Sequence, residues 1–374
     1  MADYLANNEE LTSAVGEYLT RSFDSARRLE LFGTGGANPQ FHSELAELGW
    51  FALTVPEHHD GLGLPLSALG PIFATFGRRL VPGPLFESLA LPTILIDRND
   101  DPALAELLRE TVAGRAVLGL VDPGITEDWG SDIGEIVLTD DGLHGRVEMA
   151  RFAAQAHSLV VVARHGDDQV VCVVDASDPM ISIEEIVSTD PAARYATVMF
   201  SGAHCGTAPL ATGSDAASLI SRMRLWARVL ISFEMAGIAE RMLELTVRYV
   251  TERHQFGVPI GSFQAVKHTV ANMYEHTSSL MNLCLAALDD VPNSTENELC
   301  HIAVITKAYA ADAALRVCES ALQMHGGIGF TTEAEVHWYY KRALALRAWY
   351  GDERELHRVI GETVLNPRPA TLAR

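Results

Sequence analysis

Arg253 and Phe256 and the run Gln323-Met-His-Gly-Gly-Ile-Gly-Phe330 are the parts of this sequence whose residue types and spacing could do chemistry. An arginine offers a planar fork of donors suited to phosphate or carboxylate. Gly326, Gly327 and Gly329 lack a Cβ and let a ligand come close to the backbone, and the Gln323 amide can bond an oxygen-rich group. Taken singly, each has a blander explanation. A lone arginine on a helix is usually a solvated surface residue, and a Gly-Gly-Ile-Gly between helices is usually a C-cap and turn. The glycine run follows a helical pattern rather than a strand and lacks full G-x-G-x-x-G spacing, so it is not a Rossmann loop. The histidines, among them His58, His59, His254, His268 and His325, show no paired spacing with carboxylates, and no metal site is expected. Five scattered cysteines without a C-x-x-C pair read as reduced thiols.

The elements that must position these residues fall into three blocks. Residues 9–97 are helical in pattern, with the Pro and Gly punctuation of a tight turn at Val55-Pro-Glu-His-His-Asp-Gly-Leu-Gly-Leu64. Between 116 and 212 the texture changes to short β-branched runs such as Leu159-Val-Val-Val-Ala163 and Val170-Val-Cys-Val-Val174, split by Gly/Asp turns. Roughly seven or eight strands fit there. From 214 onward apolar residues recur at helical spacing, including Leu225, Val229, Phe233, Ile238 and Met242. Four long helices fit, over 215–252, 263–290, 297–325 and 333–365, as an antiparallel bundle. The expected organisation is therefore mainly α with a central β-domain: an N-terminal helical domain over 1–114, a middle β-domain over 115–212 and a C-terminal four-helix bundle over 213–374. An α–β–α order of this kind is unlike the βαβ alternation of a dinucleotide fold.

With 374 residues, 48% of them hydrophobic, the chain can bury large cores in two or three packed subdomains. A formal charge of −21 argues against a nucleic-acid surface, which needs clustered Lys and Arg. The first residues lack a basic and apolar leader, and no apolar run is long enough to span a bilayer. A soluble cytoplasmic protein without a membrane partner is expected.

Two stretches carry a family resemblance. Tyr249-Val-Thr-Glu-Arg-His-Gln-Phe-Gly-Val-Pro-Ile-Gly-Ser-Phe-Gln-Ala-Val-Lys-His268 resembles the "Y…R-x-x-F-G-x-x-I-x-x-F-Q" helix–turn–helix of acyl-CoA dehydrogenases, and Gln323 to Glu333 is similar to their "Q-x-x-G-G-x-G-[YF]…E" segment. With Gly49-Trp-Phe-Ala-Leu-Thr-Val-Pro-Glu57, the resemblance extends over essentially the whole chain. It implies FAD, an acyl-CoA substrate, α,β-dehydrogenation, and a tetramer built as a dimer of dimers. It also implies that FAD lies across a subunit interface, with one subunit's β-domain cradling the isoalloxazine and the neighbour's bundle reaching the diphosphate and adenosine. Carried over residue by residue, the contacts to that shared FAD fall on Arg253, Phe256, Gln264, Gln323, Gly326, Gly327 and Gly329. His325 reads as a structural histidine ahead of an adenosine contact.

The departures from the family pattern are equally specific. Dehydrogenation needs a base for the weakly acidic α-proton, and a carboxylate is the expected group. In the family it stands in one of two places, which fall here on Tyr350 and on Ala227, the latter followed by Arg228. No catalytic carboxylate is therefore expected in this chain. Where relatives carry "T-E-P-x-x-G-S-D" this sequence reads Leu120-Val-Asp-Pro-Gly-Ile-Thr-Glu-Asp-Trp129, with the Gly-Ser-Asp portion missing or displaced. Where they carry "W-I-T-N" or "Y-I-T-N" it has Glu148-Met-Ala-Arg-Phe152, with no residue to reproduce the Thr hydroxyl contact. The pattern resembles the non-catalytic subunit of α2β2 acyl-CoA dehydrogenases of bacterial sterol side-chain degradation. That implies a catalytic partner subunit, acyl-CoA bound through that partner, and an external electron-transfer acceptor. The competing reading is a self-sufficient homotetrameric dehydrogenase whose base is Asp352, Glu353 or Glu234. Glu234 lies on the same helix face as Ala227 but about 10 Å further along. A third reading is a scaffold that keeps neither FAD nor partner, against which the joint retention of Arg253, Phe256, Gln323 and the glycines argues.

Overall fold

The computed structural model describes residues 2–34, 38–96, 102–125, 135–206, 208–331 and 334–365. Helices α1 (Ala2–Ser22), α2 (Ser25–Gly33), α3 (Pro39–Glu47), α4 (Leu69–Arg79), α5 (Leu85–Leu89), α6 (Leu91–Ile96) and α7 (Pro102–Val112) form the first block. Side-chain caps start two of them: Asp24 accepts from the Arg27 N–H, and Asn38 from the Phe41 N–H. The short apolar helices α5 and α6 are buried almost throughout, which is why Leu85 to Leu95 reads as a nearly unbroken apolar run.

The middle block is a sheet of β1 (Leu118–Val121), β2 (Ile136–Thr139), β3 (Gly142–Arg151), β4 (Ser158–His165), β5 (Asp168–Asp175), β6 (Ile181–Ile186), β7 (Tyr195–Ala203) and β8 (Ala211–Thr212). Its order is β6-β7-β3-β1-β4-β5-β8, with β2 beside β3 and β4. Pairing is antiparallel except where β4 meets β1 and β2. Strand β4 is buried on both faces. Leu159, Val161 and Ala163 join a core internal to the sheet, while Val160 and Val162 face the helices. That double burial explains its continuous apolar sequence. A bulge interrupts the β3–β7 ladder between Val147 and Ala150, and Met149 sits there at φ 62°. It resets the register just before Arg151, a use of bulges common beside functional sites. Cys172 and Cys205 are joined as a disulfide, with Cα atoms 5.4 Å apart. This corrects the expectation of reduced thiols for that pair. Spacing along the chain gave no hint of it, because β5 and the segment after β7 meet only in three dimensions.

The last block holds α8 (Gly213–Glu252), the hairpin β9 (His254–Gln255) and β10 (Val258–Pro259), α9 (Gln264–Asp289), α10 (Glu296–His325), α11 (Val336–Ala348) and α12 (Glu353–Leu365). At 40 residues α8 spans roughly 60 Å and is the axle of the molecule. Helix α4 crosses it at backbone contact: a Cβ on Gly77 would lie 1.9 Å from the Glu234 carbonyl oxygen, and one on Gly237 would lie 1.8 Å from that of Ala74. Glycine is required on both sides of this crossing. A capping box at Thr295 and Glu298 opens α10. The helix expected over 333–365 is broken in two: Tyr350 and Gly351 adopt φ of 59° and 100°, and Asp352 then caps α12 through the N–H groups of Arg354 and Glu355. Helical periodicity continues through the break, so the sequence pattern concealed it. Among the described residues no helix is long and apolar enough to cross a membrane.

Candidate active site and cofactor cradle

The residues singled out in the sequence separate into an exposed cluster at the ends of α8 and α10 and a buried one where α8, β3, β7 and the α11–α12 turn meet. In the exposed cluster, the Tyr249 ring stacks on His325 at 4.4 Å and brings the two helix ends together. His325 is buried and bonds through Nδ1 to the Ala321 carbonyl at 2.8 Å, and burial lowers its pKa, so it is structural here. One turn past Tyr249, the Arg253 backbone ends α8 by donating to the Tyr249 carbonyl and accepting from Ile260. Its side chain is exposed and makes no ion pair among the described residues. Phe256 and Gly257 turn the hairpin with φ of 53° and 82°, a type I′ geometry that favours Asn-Gly and strains a phenylalanine. The strained ring is 94% exposed and touches only the edge of Phe263.

Gln264 opens α9 behind Phe263, which has no capping side chain, and no acid occupies the first turn. The free N–H groups there form a positive end. Gln323 is exposed on the last turn of α10. Gly326, at φ 61°, and Gly327 have open space where a Cβ would stand, so the backbone can be approached closely. Gly329 differs: a Cβ there would lie 3.1 Å from that of His325, so this glycine serves packing. Ile328 and Phe330 beside it are exposed, and an apolar groove between α8 and α9, lined by Leu243, Val247, Val250 and Val270, runs alongside. Exposed donors, open glycines and bare aromatics fit the diphosphate and adenosine end of a dinucleotide held against another surface.

The buried cluster brings both expected base positions together. Ala227 is fully buried on α8, and its neighbour Arg228 donates through Nε to the Tyr350 carbonyl at 3.0 Å. The Tyr350 ring is buried between Phe86 and Trp349, and burial pushes its hydroxyl well above the ordinary tyrosine range. Lys307, buried in α10, holds the same turn by donating to the Arg347 and Gly351 carbonyls at 3.0 and 2.9 Å. Burial, with Arg228 nearby, lowers its pKa to about 7. One turn before Arg228, Arg224 grips Asp122 with two bonds of 2.8 and 2.7 Å. From the sheet, Arg151 is buried with its guanidinium 5.0 Å from the Trp349 ring and 5.5 Å from that of Phe152. Trp349 in turn stacks on Tyr195 and donates to its hydroxyl at 3.1 Å. Thus the segment 148–152, where the family resemblance led to the expectation of an aromatic and a hydroxyl, supplies a cation folded into the chain's own aromatics, followed by the buried Ala153. The residues of the exposed cluster fit the outer half of an FAD, and the described part of the buried cluster offers no free hydroxyl beside Arg151.

Each substitute base is occupied. Glu234 binds the buried Arg342 at 2.8 Å, and Asp190 takes the same guanidinium at 3.0 Å. Burial opposes the Arg342 charge, but these two carboxylates outweigh it and raise its pKa. Asp352 is the α12 cap. Glu353 pairs with Arg347, which holds its carboxyl below the usual range. Sequence reasoning missed Glu87 on α5. It is buried, its Oε2 has no partner, and burial, opposed by Arg151, raises its pKa. A lone acid inside the apolar run Leu85-Phe-Glu-Ser-Leu-Ala-Leu91 was the available signal. The Gly-Ser-Asp triplet is displaced rather than missing: it stands at Gly130-Ser131-Asp132, outside the described residues.

Fold and site together have the organisation of a flavoprotein dehydrogenase scaffold, and the comparisons make this specific. A family model described as acyl-CoA dehydrogenase, C-terminal domain, matches residues 218–365. Acyl-CoA dehydrogenase IpdE2 of Mycobacterium tuberculosis is 30% identical over 79% of this chain and 77% of its own length. The chain belongs to the acyl-CoA dehydrogenase family, whose members bind FAD and oxidise CH–CH bonds. In fold it is similar to the ChsE4-ChsE5 complex of M. tuberculosis (TM-score 0.86, 23% identity, 97% of this chain and 98% of that one). It is equally similar to a variant of the Tcur3481-Tcur3483 steroid ACAD (TM-score 0.86, 23% identity, 97% and 99% covered).

Proposed function

We propose that this chain is the non-catalytic subunit of a hetero-oligomeric acyl-CoA dehydrogenase: it completes the FAD site of a catalytic partner and performs no proton abstraction of its own. The observation that carries the reading is that buried Ala227 and Tyr350, linked through the bond of Arg228 to the Tyr350 carbonyl, fall at the two places expected for the family's carboxylate. On the partner-facing side, Arg253 supplies the charged fork for the FAD diphosphate. The N–H groups at Gln264, the Gln323 amide and the open backbone at Gly326 and Gly327 complete the cradle, Phe256 offers a flat apolar face, and Gly329 keeps the cradle's shape. FAD bound there is shared across the interface, and the groove between α8 and α9 with the exposed Phe330 forms part of the partner's seat. Acyl-CoA binds through the partner, and reducing equivalents pass to an external acceptor. The names of the relatives, a steroid ACAD and a two-component ChsE4-ChsE5 complex, support a two-component assembly acting on a steroid thioester, which on our reading is an α2β2 tetramer of the cytoplasm.

The self-sufficient reading loses its named bases, since Glu234, Asp352 and Glu353 are all engaged. The test restores the missing group. Tyr350→Glu in the assembled complex replaces only the proton acceptor, a contribution of typically ~10²–10⁴-fold where the rest of a site exists. Turnover per tetramer is expected to stay at the wild-type value. A rise toward double would show a second working flavin and sink the proposal.

A further inference from the structure

A cavity of about 390 Å³ opens between α3, the Pro82-Gly83-Pro84 turn before α5, and the loops that enter β1 and β4. It lies at the end of β1 opposite Asp122, away from the buried cluster: Leu85 faces it, while the next residue, Phe86, packs on Tyr350. Its volume falls within the range of small-molecule sites. Phe41, Phe51 and Leu85 give it apolar walls.

Its polar groups are few and their roles are fixed. Gln155 donates its amide nitrogen to Glu185 at 2.6 Å, which sets the amide orientation and leaves Oε1 as a buried acceptor without a partner. His157 accepts the Val117 N–H on Nδ1 at 3.0 Å, so a neutral ring carries its proton on Nε2 and is a donor at the rim. His42 is buried against Phe51, its rings 4.7 Å apart, with Nε2 unpartnered. Burial lowers its pKa to about 4, so it adds no charge at neutral pH. The one arginine among the described lining residues, Arg115, is taken by Glu110 through two bonds of 2.7 and 2.6 Å. Among the described lining residues no cation is left free to hold an anion, and none is a carboxylate that could hold a cation.

We propose that this cavity binds a neutral, largely apolar small molecule carrying a hydroxyl or carboxamide, whose polar end donates to Gln155 Oε1 and accepts from His157 while its body lies against Phe41, Phe51 and Leu85.

Calorimetric titration of the full chain with 4-hexylphenol and with its methyl ether, 4-hexylanisole, tests this. The phenol binds saturably, and the ether, which cannot donate, binds at least tenfold more weakly. Gln155→Leu removes the preference by weakening the phenol about tenfold while leaving the ether unchanged, and Ser43→Phe, which fills the space, abolishes both. The comparison of phenol with ether on the unaltered chain needs no variant to fold. Equal binding of the two ligands, no saturable binding to the folded chain, or a complex structure with only water at Gln155 would each overturn the proposal.

Discussion

The two clusters, one at the ends of α8 and α10 and one where α8 meets the sheet and the α11–α12 turn, are built on contrary principles. At the ends of α8 and α10, charge and aromatic surface are left unspent: Arg253 has no counter-ion among the described residues, Phe256 stands in solvent on a strained turn, and Gly326 and Gly327 face open space. Around Tyr350 almost every strong group is consumed internally, with Arg342 on two carboxylates, Arg224 on Asp122, Arg151 on aromatic rings and Lys307 on two carbonyls. A surface that must meet a ligand or another subunit keeps its donors free, whereas an interior of this kind is held by ion pairs and packed rings. Strain kept at Phe256, whose ring meets the edge of Phe263 and otherwise stands in solvent, is the mark of the first kind.

The contrast breaks hardest at Arg342. Arg342→Met leaves Glu234 and Asp190 buried without their cation, and chemical denaturation should show a loss of about 3–5 kcal/mol. A loss below about 1 kcal/mol would mean the cluster is not a structural filling. Arg253→Ala is the matching change on the open side. Fold stability should hold, while FAD retention by the assembled complex falls roughly ten- to hundredfold, as expected for a charge-assisted contact of about 1.5–3 kcal/mol. Equal retention would make Arg253 an ordinary surface residue.

Lys307 sharpens the comparison through pH. Its folded pKa of about 7 lies below the free-lysine value of about 10.4, so the unfolded chain binds the extra proton between those limits. The Lys307 contribution to stability therefore grows as pH rises from about 7 to about 10 and is flat below. The gap between wild type and Lys307→Met, measured by denaturation at several pH values, should widen by the same rule; a gap independent of pH would place the charge elsewhere. The smallest effect is expected at Phe256. Phe256→Asn creates the Asn-Gly pair that a type I′ turn prefers, and the isolated chain should gain roughly 0.5–1 kcal/mol. The complex should at the same time lose FAD. Gain in both would show that the exposed ring serves no partner.

How legible each cluster was follows from its physics. The open cluster was readable because its residues are short motifs on two neighbouring chain segments, and the helices that carry them have strong periodicity. What sequence did not show there is the division among the glycines, since only coordinates reveal that Gly329 packs on His325 while Gly326 and Gly327 do not. In the buried cluster the absence of a carboxylate at 227 and 350 was countable, but the filling was not. The Arg342 pairing joins residues from α8, the segment before β7 and α11, and no local pattern announces it. The break at Tyr350 was hidden because apolar spacing continues through it, and the Cys172–Cys205 bond because its partners are brought together only by the sheet.

The central claim, an FAD site completed for a partner and not held alone, is tested most directly by flavin stoichiometry. The chain is purified by itself and after co-expression with a family member that carries the catalytic Glu, and flavin absorbance is compared with assembly mass. The account predicts little FAD on the isolated chain and about one FAD per heterodimer in the complex. Two FAD per heterodimer, or a flavin-saturated and active homotetramer of this chain, would contradict it.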